Sequence, residues 1–402
     1  MKLLIKNARI VDWSQDLIGD VYIENGIIKE IGQDLYKDCE TINANGLTLL
    51  PSFIDLHVHF REPGYEYKED LETGSKSAIR GGYTAVNLMG NTKPICSDEK
   101  IVEYVLNRAK EIGLVDIHQT VSITKDFNGT DIGHLDNLPD TVRFISDDGK
   151  GVLNNKVMLD TMIKAKEKDL VIISHAEDED ITPFCTRLSE NIITSRDIEL
   201  AKYTKAKLHM AHVSTIEAME YIIEAKKRGY DVTCEIAPHH IAFTNEVDFR
   251  VNPPLRNQED VDFLIKCIKD GWVDMIATDH APHTTEDKEK GAPGLVGLET
   301  SFSVSYTKLV REGHITLNEL SKIMSKNPAN LMKLNKGEIK IGFDGDLVLV
   351  DIDNKYKINP DDFASKGRNT PFKGIETYGI VEKTIKAGKV VYSKEGYSND
   401  DR

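Results

Sequence analysis

The sequence predicts an α/β protein built as a (β/α)8 barrel of the TIM type, with a small β-rich domain formed by both termini. Three observations lead there. The chain has 402 residues, too many for one small domain and enough for a barrel and a smaller unit. Its middle alternates short apolar runs with charged, helix-like stretches. Its two ends are strand-rich and lack that alternation. The expected boundaries are 1–50 for the N-terminal part of the small domain, 51–340 for the barrel and 341–402 for the C-terminal part. Chain termini that lie close together at the surface permit a domain split in this way.

Taken in order, residues 2–8 and 20–24 read as strands, Glu24-Asn25-Gly26 as a turn, and 27–31 as the strand that resumes. Eight barrel-strand candidates follow, at 53–58, 83–89, 115–121, 142–146, 170–174, 207–212, 232–236 and 274–277. Between most of them lie helical segments such as 98–111, 156–168, 215–228 and 258–270. Residues 346–351 and 381–391, the latter with a turn at Ala387-Gly388-Lys389, return to strand. A doubly wound open sheet is the competing architecture. The chain shows no internal repeat and no low-complexity segment.

Composition narrows the function classes. Apolar residues make up 40% and charged residues 29%, the balance of a soluble globular chain with ample core. A net charge of -15 repels phosphate backbones and anionic lipid, so neither nucleic acid nor membrane is an expected partner. The five cysteines are widely and irregularly spaced with no Cys-x-x-Cys, which argues against a disulfide framework and for the reducing cytoplasm. The first residues carry no signal-peptide pattern, and the longest apolar stretch, 47–58, is too short and too interrupted to span a bilayer.

The strongest local signal is His57-Val58-His59 at the end of the first barrel strand. Strand side chains alternate, so both imidazoles face one side, and at the C-terminal rim of a barrel that side is where sites are built. Four more strand ends carry a candidate ligand: Asp147-Asp148 after strand four, His175 after five, His212 at six and Asp279 after eight. Each alone is read plainly as a solvated loop residue; together they converge if the barrel closes. Four imidazoles and two carboxylates suffice for two metal ions, which need a bridging carboxylate and a bridging water or hydroxide. Asp148 is the candidate bridge, and spacing does not separate it from Asp147. Zn²⁺ suits such His/Asp ligands and lowers the pKa of its water to about 7, with Mn²⁺ or Co²⁺ as substitutes.

The stretch Asp55-Leu56-His57-Val58-His59-Phe60-Arg61-Glu62-Pro63-Gly64 resembles the signature of the dihydroorotase family. So do Asn91-Thr92-Lys93-Pro94, Asp147-Asp148-Gly149, His212-Val213-Ser214-Thr215, Pro238-His239-His240, Asn252-Pro253-Pro254-Leu255-Arg256 and residues 277–283, in the same order along nearly the whole chain. The resemblance implies an amidohydrolase with a distorted barrel and a small β domain from both termini. It implies interconversion of N-carbamoyl-L-aspartate and L-dihydroorotate in pyrimidine biosynthesis. By position it implies His57, His59, Asp148, His175, His212 and Asp279 as ligands of two Zn²⁺, bridged by Asp148 and hydroxide. Many relatives bridge their metals with a carboxylated lysine. Residues 142–146 contain none, and Lys150, the nearest, lies beyond the strand end.

Asp279 has two expected roles, metal ligand and the general base and acid that shuttles a proton between water and the leaving ring nitrogen. An acidic protein needs a local cation to bind a carboxylate, and Arg61, two residues past His59, is the candidate. The resemblance adds Asn91, Asn252, His283, Pro293 and Gly294 as substrate contacts. Two departures bear on this. Gly90 stands where the family has proline, and Ala292-Pro293-Gly294 replaces Pro-Phe-Gly in a shortened loop, so Gly294 aligns more securely than Pro293.

For the remaining histidines the spacing gives plainer expectations. His209 and His280 should point away from the site, His118 should be a packed polar residue, and His134 and His314 should be exposed. His239 and His240 are expected to orient ligands or close the site. The alternatives are another cyclic amidohydrolase, such as a dihydropyrimidinase, hydantoinase or allantoinase, and a non-catalytic partner of aspartate transcarbamoylase. The resemblance also leaves room for a homodimer and for transcarbamoylase association beside activity.

Overall fold

The computed structural model describes residues 1–394. Eight short parallel strands form the centre: β1 (Phe53–Val58), β2 (Tyr83–Leu88), β3 (Asp116–Gln119), β4 (Phe144–Ile145), β5 (Val171–Ser174), β6 (Lys207–Met210), β7 (Val232–Ile236) and β8 (Met275–Ile276). They fall into a three-stranded sheet, β1-β2-β3, and a five-stranded sheet, β8-β7-β6-β5-β4. Isolated parallel bridges join the sheets at both seams, Val121 with Ile145 and Val58 with His280. The ring is therefore a distorted barrel, and β4 and β8 shrink to two residues each where the expected strands were longer.

The strands are mostly buried on both faces, as parallel strands covered by helices must be. Ile54, Leu56, Ala85, Phe144, Val171, Ile173 and Met275 share one buried cluster, closed by Ala329 and Met332 of the helix Asn327–Met332. A larger cluster lies between strands and surrounding helices and includes Phe53, Leu71, Ile79, Tyr83, Val102, Ile222, Leu264 and Phe302.

The helices begin and end where side chains satisfy their free backbone groups. Asp70 caps Leu71–Arg80 in a capping box with Thr73. Asp98 caps Glu99–Ile112, which Gly113 ends in a left-handed conformation that a side chain would resist. Asn257 caps Gln258–Lys269, with Glu259 and Asp260 in its first turn favouring the helix dipole.

Segments from both ends build the other sheet. Lys2–Asp12, Gln15–Glu24, Ile27–Gly32, Glu40–Asn43 and Thr48–Pro51 pair with one another, and Leu347–Lys357, Glu376–Lys386 and Lys389–Ser393 complete it. Thr48–Pro51 joins the two halves, lying antiparallel to Leu347–Lys357. Between Leu347–Lys357 and Glu376–Lys386 the chain leaves the sheet and runs to the barrel mouth. Among the described residues no helix is long and apolar enough to cross a membrane.

Candidate active site

The six side chains at the strand ends come together at the barrel mouth. His57 ends β1 and His59 follows it; Asp148, His175, His212 and Asp279 arrive from the ends of β4, β5, β6 and β8. All six are buried. His57 Nε2 lies 3.2 Å from Asp148 Oδ1 and 3.7 Å from Asp279 Oδ1, and His59 Nε2 lies 3.1 Å from Asp279 Oδ1 and 3.5 Å from Asp148 Oδ2. His175 Nδ1 and His212 Nε2 stand 3.3 and 3.7 Å from Asp148 Oδ1. Asp148 thus faces all four imidazoles. Two donor groups emerge, His57–His59–Asp279 and His57–Asp148–His212, with the donor atoms of each within 4.8 Å of one another.

These separations suit a cation. Two ligands bonded to one tetrahedral ion at about 2.0–2.1 Å stand roughly 3.3 Å apart, which the nitrogen–oxygen distances bracket. His57 Nε2 and Asp148 Oδ1 are fully buried yet make no hydrogen bond to each other or to any other group. Buried polar atoms left this way in a native fold call for an ion or water. The charge environment agrees. Burial opposes protonation of His57 and His175, but Asp148 and Glu235 raise the first well above the usual imidazole range. Asp148 and Glu177 push the second up to about 10. Against the same burial, neighbouring imidazoles hold Asp148 and Asp279 below the ordinary carboxylate range. Carboxylates that stabilise a proton on these rings would equally stabilise a metal cation among them.

Asp147 and Asp148 part company. Asp147 turns to Thr124, accepting from its backbone N–H at 3.0 Å and from its hydroxyl at 2.5 Å, while Asp148 turns to the imidazoles.

Two carboxylates that sequence reasoning did not single out sit directly behind the cluster. Glu235 Oε1 is 2.7 Å from His57 Nδ1, and its Oε2 is 3.0 Å from His209 Nε2. Glu177 Oε2 lies 2.9 Å from His175 Nε2 and accepts from Asn252 Nδ2 at 2.8 Å. Burial opposes ionisation of Glu235, but His57 and His209 bring it down to about 2. The hydrogen bond from His175 does the same for Glu177 despite its burial. Carboxylates placed like this fix the tautomer and orientation of a ligating imidazole. His209 is accordingly a correction: it was expected to face away, yet it lies beneath the cluster. β6 stops at Met210, and His212 has φ +31°, so alternation no longer relates the two residues.

The other histidines divide. His280 is fully buried, its Nδ1 accepting from Gly297 N at 3.2 Å. His239 and His240 are buried beside each other, ring centroids 4.3 Å apart, with His240 Nε2 bonded to Pro253 O. His118 sits in β3 and is half-buried. His134, expected to be exposed, is half-buried because its ring reaches Ser122 O at 2.8 Å, and His314 is only half-exposed.

A cavity of about 230 Å³ opens over the cluster. It is lined by His59, Asp148, His175, His212 and Asp279, by Arg61, Asn91, Asn252, His283, Pro293 and Gly294, and by Gly149 and Ala281. Every residue expected to contact substrate is therefore on its wall. Arg61 donates from Nη2 to His283 Nε2 at 3.1 Å and from Nε to Pro282 O at 3.3 Å. Burial and the cations Arg61 and Lys68 press His283 down to about 3, so its ring is neutral. Asn91 Oδ1 is 2.8 Å from His59 Nδ1. Arg61, His212 and Asp279 adopt positive φ of 64°, 31° and 49°. Such backbone costs about 1–3 kcal/mol per residue and clusters where a site imposes it.

This constellation, buried histidines and aspartates at the C-terminal rim of a barrel, is that of a metal-dependent hydrolase. The amidohydrolase family model matches residues 48–391. A dihydroorotase of Clostridium botulinum (strain Eklund 17B / Type B) is 56% identical over 398 residues, covering 98% of this chain and 100% of its own length. A dihydroorotase of Ruminiclostridium cellulolyticum is 40% identical, covering 98% and 99%. Among solved structures, the L-hydantoinase (dihydropyrimidinase) of Arthrobacter aurescens superposes with a TM-score of 0.90 at 25% identity, over 98% of this chain and 97% of its own. The dihydropyrimidinase of Brevibacillus agri NCHU1002 gives 0.87 at 25% identity, over 99% and 96%. The chain belongs to the amidohydrolase family and, within it, to the dihydroorotases. Its two groups of His and Asp donors form a site suited to a divalent metal.

Proposed function

We propose that the chain catalyses the reversible cyclisation of N-carbamoyl-L-aspartate to L-dihydroorotate and water. One observation carries this reading: a single cavity joins a His/Asp cluster to an arginine–histidine pair, Arg61 and His283, suited to a carboxylate. Dihydrouracil, hydantoin and allantoin carry no carboxylate that would use that pair.

In this reading His57, His59, Asp148, His175, His212 and Asp279 would hold two Zn²⁺, with Asp148 at the centre of the set, facing all four imidazoles. When bound, the ions polarise the reacting carbonyl and make a water acidic enough to attack it near neutral pH. The other work belongs to the chain. Glu235 and Glu177 orient His57 and His175. Arg61, Asn91, Asn252 and His283, with the backbone at Pro293 and Gly294, hold the substrate so that its ring amide lies against Asp279. In ring opening the Asp279 carboxylate takes up the proton of the attacking water and delivers it to the departing ring nitrogen; in closure it returns it. His283, neutral and accepting from Arg61, keeps the guanidinium aimed into the cavity.

We also assign residues 1–50 and 341–402, of which 395–402 lie outside the described residues, to one small domain and 51–340 to the catalytic barrel. Five free cysteines support a reducing, cytoplasmic setting. A homodimer and association with aspartate transcarbamoylase are the partner readings consistent with this function. Light scattering of the chain, alone and with the transcarbamoylase, tests both. The activity is tested by hydrolysis of L-dihydroorotate beside dihydrouracil, hydantoin and allantoin, with zinc-loaded and chelated protein. Zinc-dependent turnover of L-dihydroorotate alone is expected. Turnover of the uncharged rings instead would remove the carboxylate pocket, and turnover of none would favour a non-catalytic role.

A further inference from the structure

Asn369 comes from the stretch between Leu347–Lys357 and Glu376–Lys386, far along the chain from every residue assigned above, yet its carboxamide ends at the cavity wall. Its Oδ1 accepts from His283 N at 3.0 Å. Its Nδ2 donates to Ala281 O at 3.2 Å and to Gly294 O at 3.0 Å. Its main-chain oxygen accepts from Val296 N at 2.8 Å. Ala281, His283 and Gly294 all line the cavity.

The chemistry of the three side-chain contacts is selective. One partner is an N–H and two are carbonyls, so the side chain must accept once and donate twice. A carboxamide does both within one planar group; a carboxylate cannot donate, and an ammonium cannot accept. The backbone approach is equally constrained. A Cβ at Gly367 would fall 2.7 Å from Val296 Cγ2 and 2.9 Å from Pro282 Cβ, so only glycine lets the segment lie against this loop. The same segment holds the loop that carries Arg61. Lys366 N donates to Glu69 Oε1 at 3.2 Å, and the Ser365 hydroxyl donates to Glu69 Oε2.

We infer that Asn369 is a positioning residue for substrate binding, pinning the loop after β8 to the Pro293-Gly294 segment so that His283 and the Gly294 backbone meet the substrate in register. The inference rests on the substrate assignment proposed above. Asn369 contacts none of the His/Asp donors, so its loss should leave metal binding and the chemical step intact while weakening substrate binding. That pattern is a raised KM with little change in kcat, which general destabilisation would not produce.

The test uses the full-length, zinc-loaded chain and its Asn369→Leu variant. We expect the KM for L-dihydroorotate to rise about tenfold, kcat to change by less than about threefold, and bound zinc per chain to stay the same. Hydrogen exchange read at the His283 amide should be faster in the variant, because its acceptor is gone. Should the leucine variant not fold, Asn369→Asp is equal in size. It keeps the acceptor for His283 N–H but sets an oxygen against the carbonyls of Ala281 and Gly294, so it should raise KM while leaving that amide protected. An unchanged KM in a folded variant, or zinc lost in step with kcat, overturns the inference. If the unmodified chain does not turn over L-dihydroorotate, the substrate assignment fails instead. The exchange rate at His283 then decides the loop-pinning role by itself, and an unchanged rate in Asn369→Leu overturns it.

Discussion

On one side of the cavity the His and Asp donors stand at strand ends, His57 backed by the buried Glu235, whereas the side that carries Arg61 and His283 hangs on loops braced from elsewhere in the chain. His57 is pressed between Asp148 and Glu235, and Glu235 reaches on to His209 within the barrel. Arg61 and His283 belong to the loops after β1 and β8 and lean on each other. Their outer supports are Asp287, 3.8 Å from His283 Nδ1 and paired with Lys68, and the segment around Asn369. In the function proposed above, the two sides divide the work: the His/Asp side would fix charge at the reacting carbonyl, and the Arg61–His283 side would select the ring presented to it.

The comparison breaks first if the metal side proves dispensable. Asp148→Ala removes the one carboxylate that faces all four imidazoles. It should cost at least about 10³-fold in kcat/KM, with bound metal lost. Metal analysis alongside kinetics checks this; near-normal turnover with metal retained would mean that Asp148 does not bridge. Glu235→Gln keeps the size but removes the charge behind His57 and turns one of the two acceptor oxygens into a donor. A loss of roughly 10–100-fold in metal affinity is expected, measured by competition with a chelator. An unchanged affinity would reduce Glu235 to packing.

The anion side should respond differently. Arg61→Ala is expected to lower kcat/KM for L-dihydroorotate by on the order of 10²-fold while leaving bound metal unchanged, since a charge-assisted hydrogen bond is worth about 1.5–3 kcal/mol. If metal content fell too, the two sides would not be separable. Glu177→Gln tests the seam between them, because Glu177 touches both His175 and Asn252. A smaller effect of about three- to tenfold, divided between KM and metal affinity, is expected from steady-state kinetics and chelator competition.

The same division explains what the sequence made legible. His57 and His59 could be read because alternation in a strand is local, and the helix starts could be read because Asp70, Asp98 and Asn257 sit directly before apolar periodicity. The strand-end positions of Asp148, His175, His212 and Asp279 followed once a barrel was inferred. Geometry past the strand ends was not legible. Arg61 reaches the cavity through a left-handed backbone rather than by the alternation used to predict it, and His209 defeated the same rule. Glu235 was missed because nothing near it in the chain marks His57 or His209 as its partner, and Glu177, though two residues past His175, because β5 has ended by then and alternation no longer relates the two. Asn369 was hidden in the same way, 86 residues beyond the amide it holds.

The smallest expected effect concerns the base of that last support. Glu299 is almost wholly enclosed. Its carboxylate accepts from Ala364 N at 2.9 Å and Ser365 N at 3.1 Å, at the root of the segment that carries Asn369, and pairs with Arg80 at 3.0 Å. Burial outweighs those contacts and pushes its carboxyl from 4.5 up to about 7. A folded-state value above the ordinary one means that the folded chain binds this proton more tightly than the unfolded chain does. The resulting stability is fully present below about 4.5 and is lost as pH rises through about 7, up to about 3 kcal/mol in all. Glu299→Gln removes that titration. Its Tm should therefore gain on that of the unmodified chain between pH 5 and about 8, most of the change falling before pH 7, with the metal side untouched. A Tm difference that stays flat across this range would mean that Glu299 is ionised throughout, its charge held by Arg80 and the two backbone donors, and that the brace on the anion side is independent of pH.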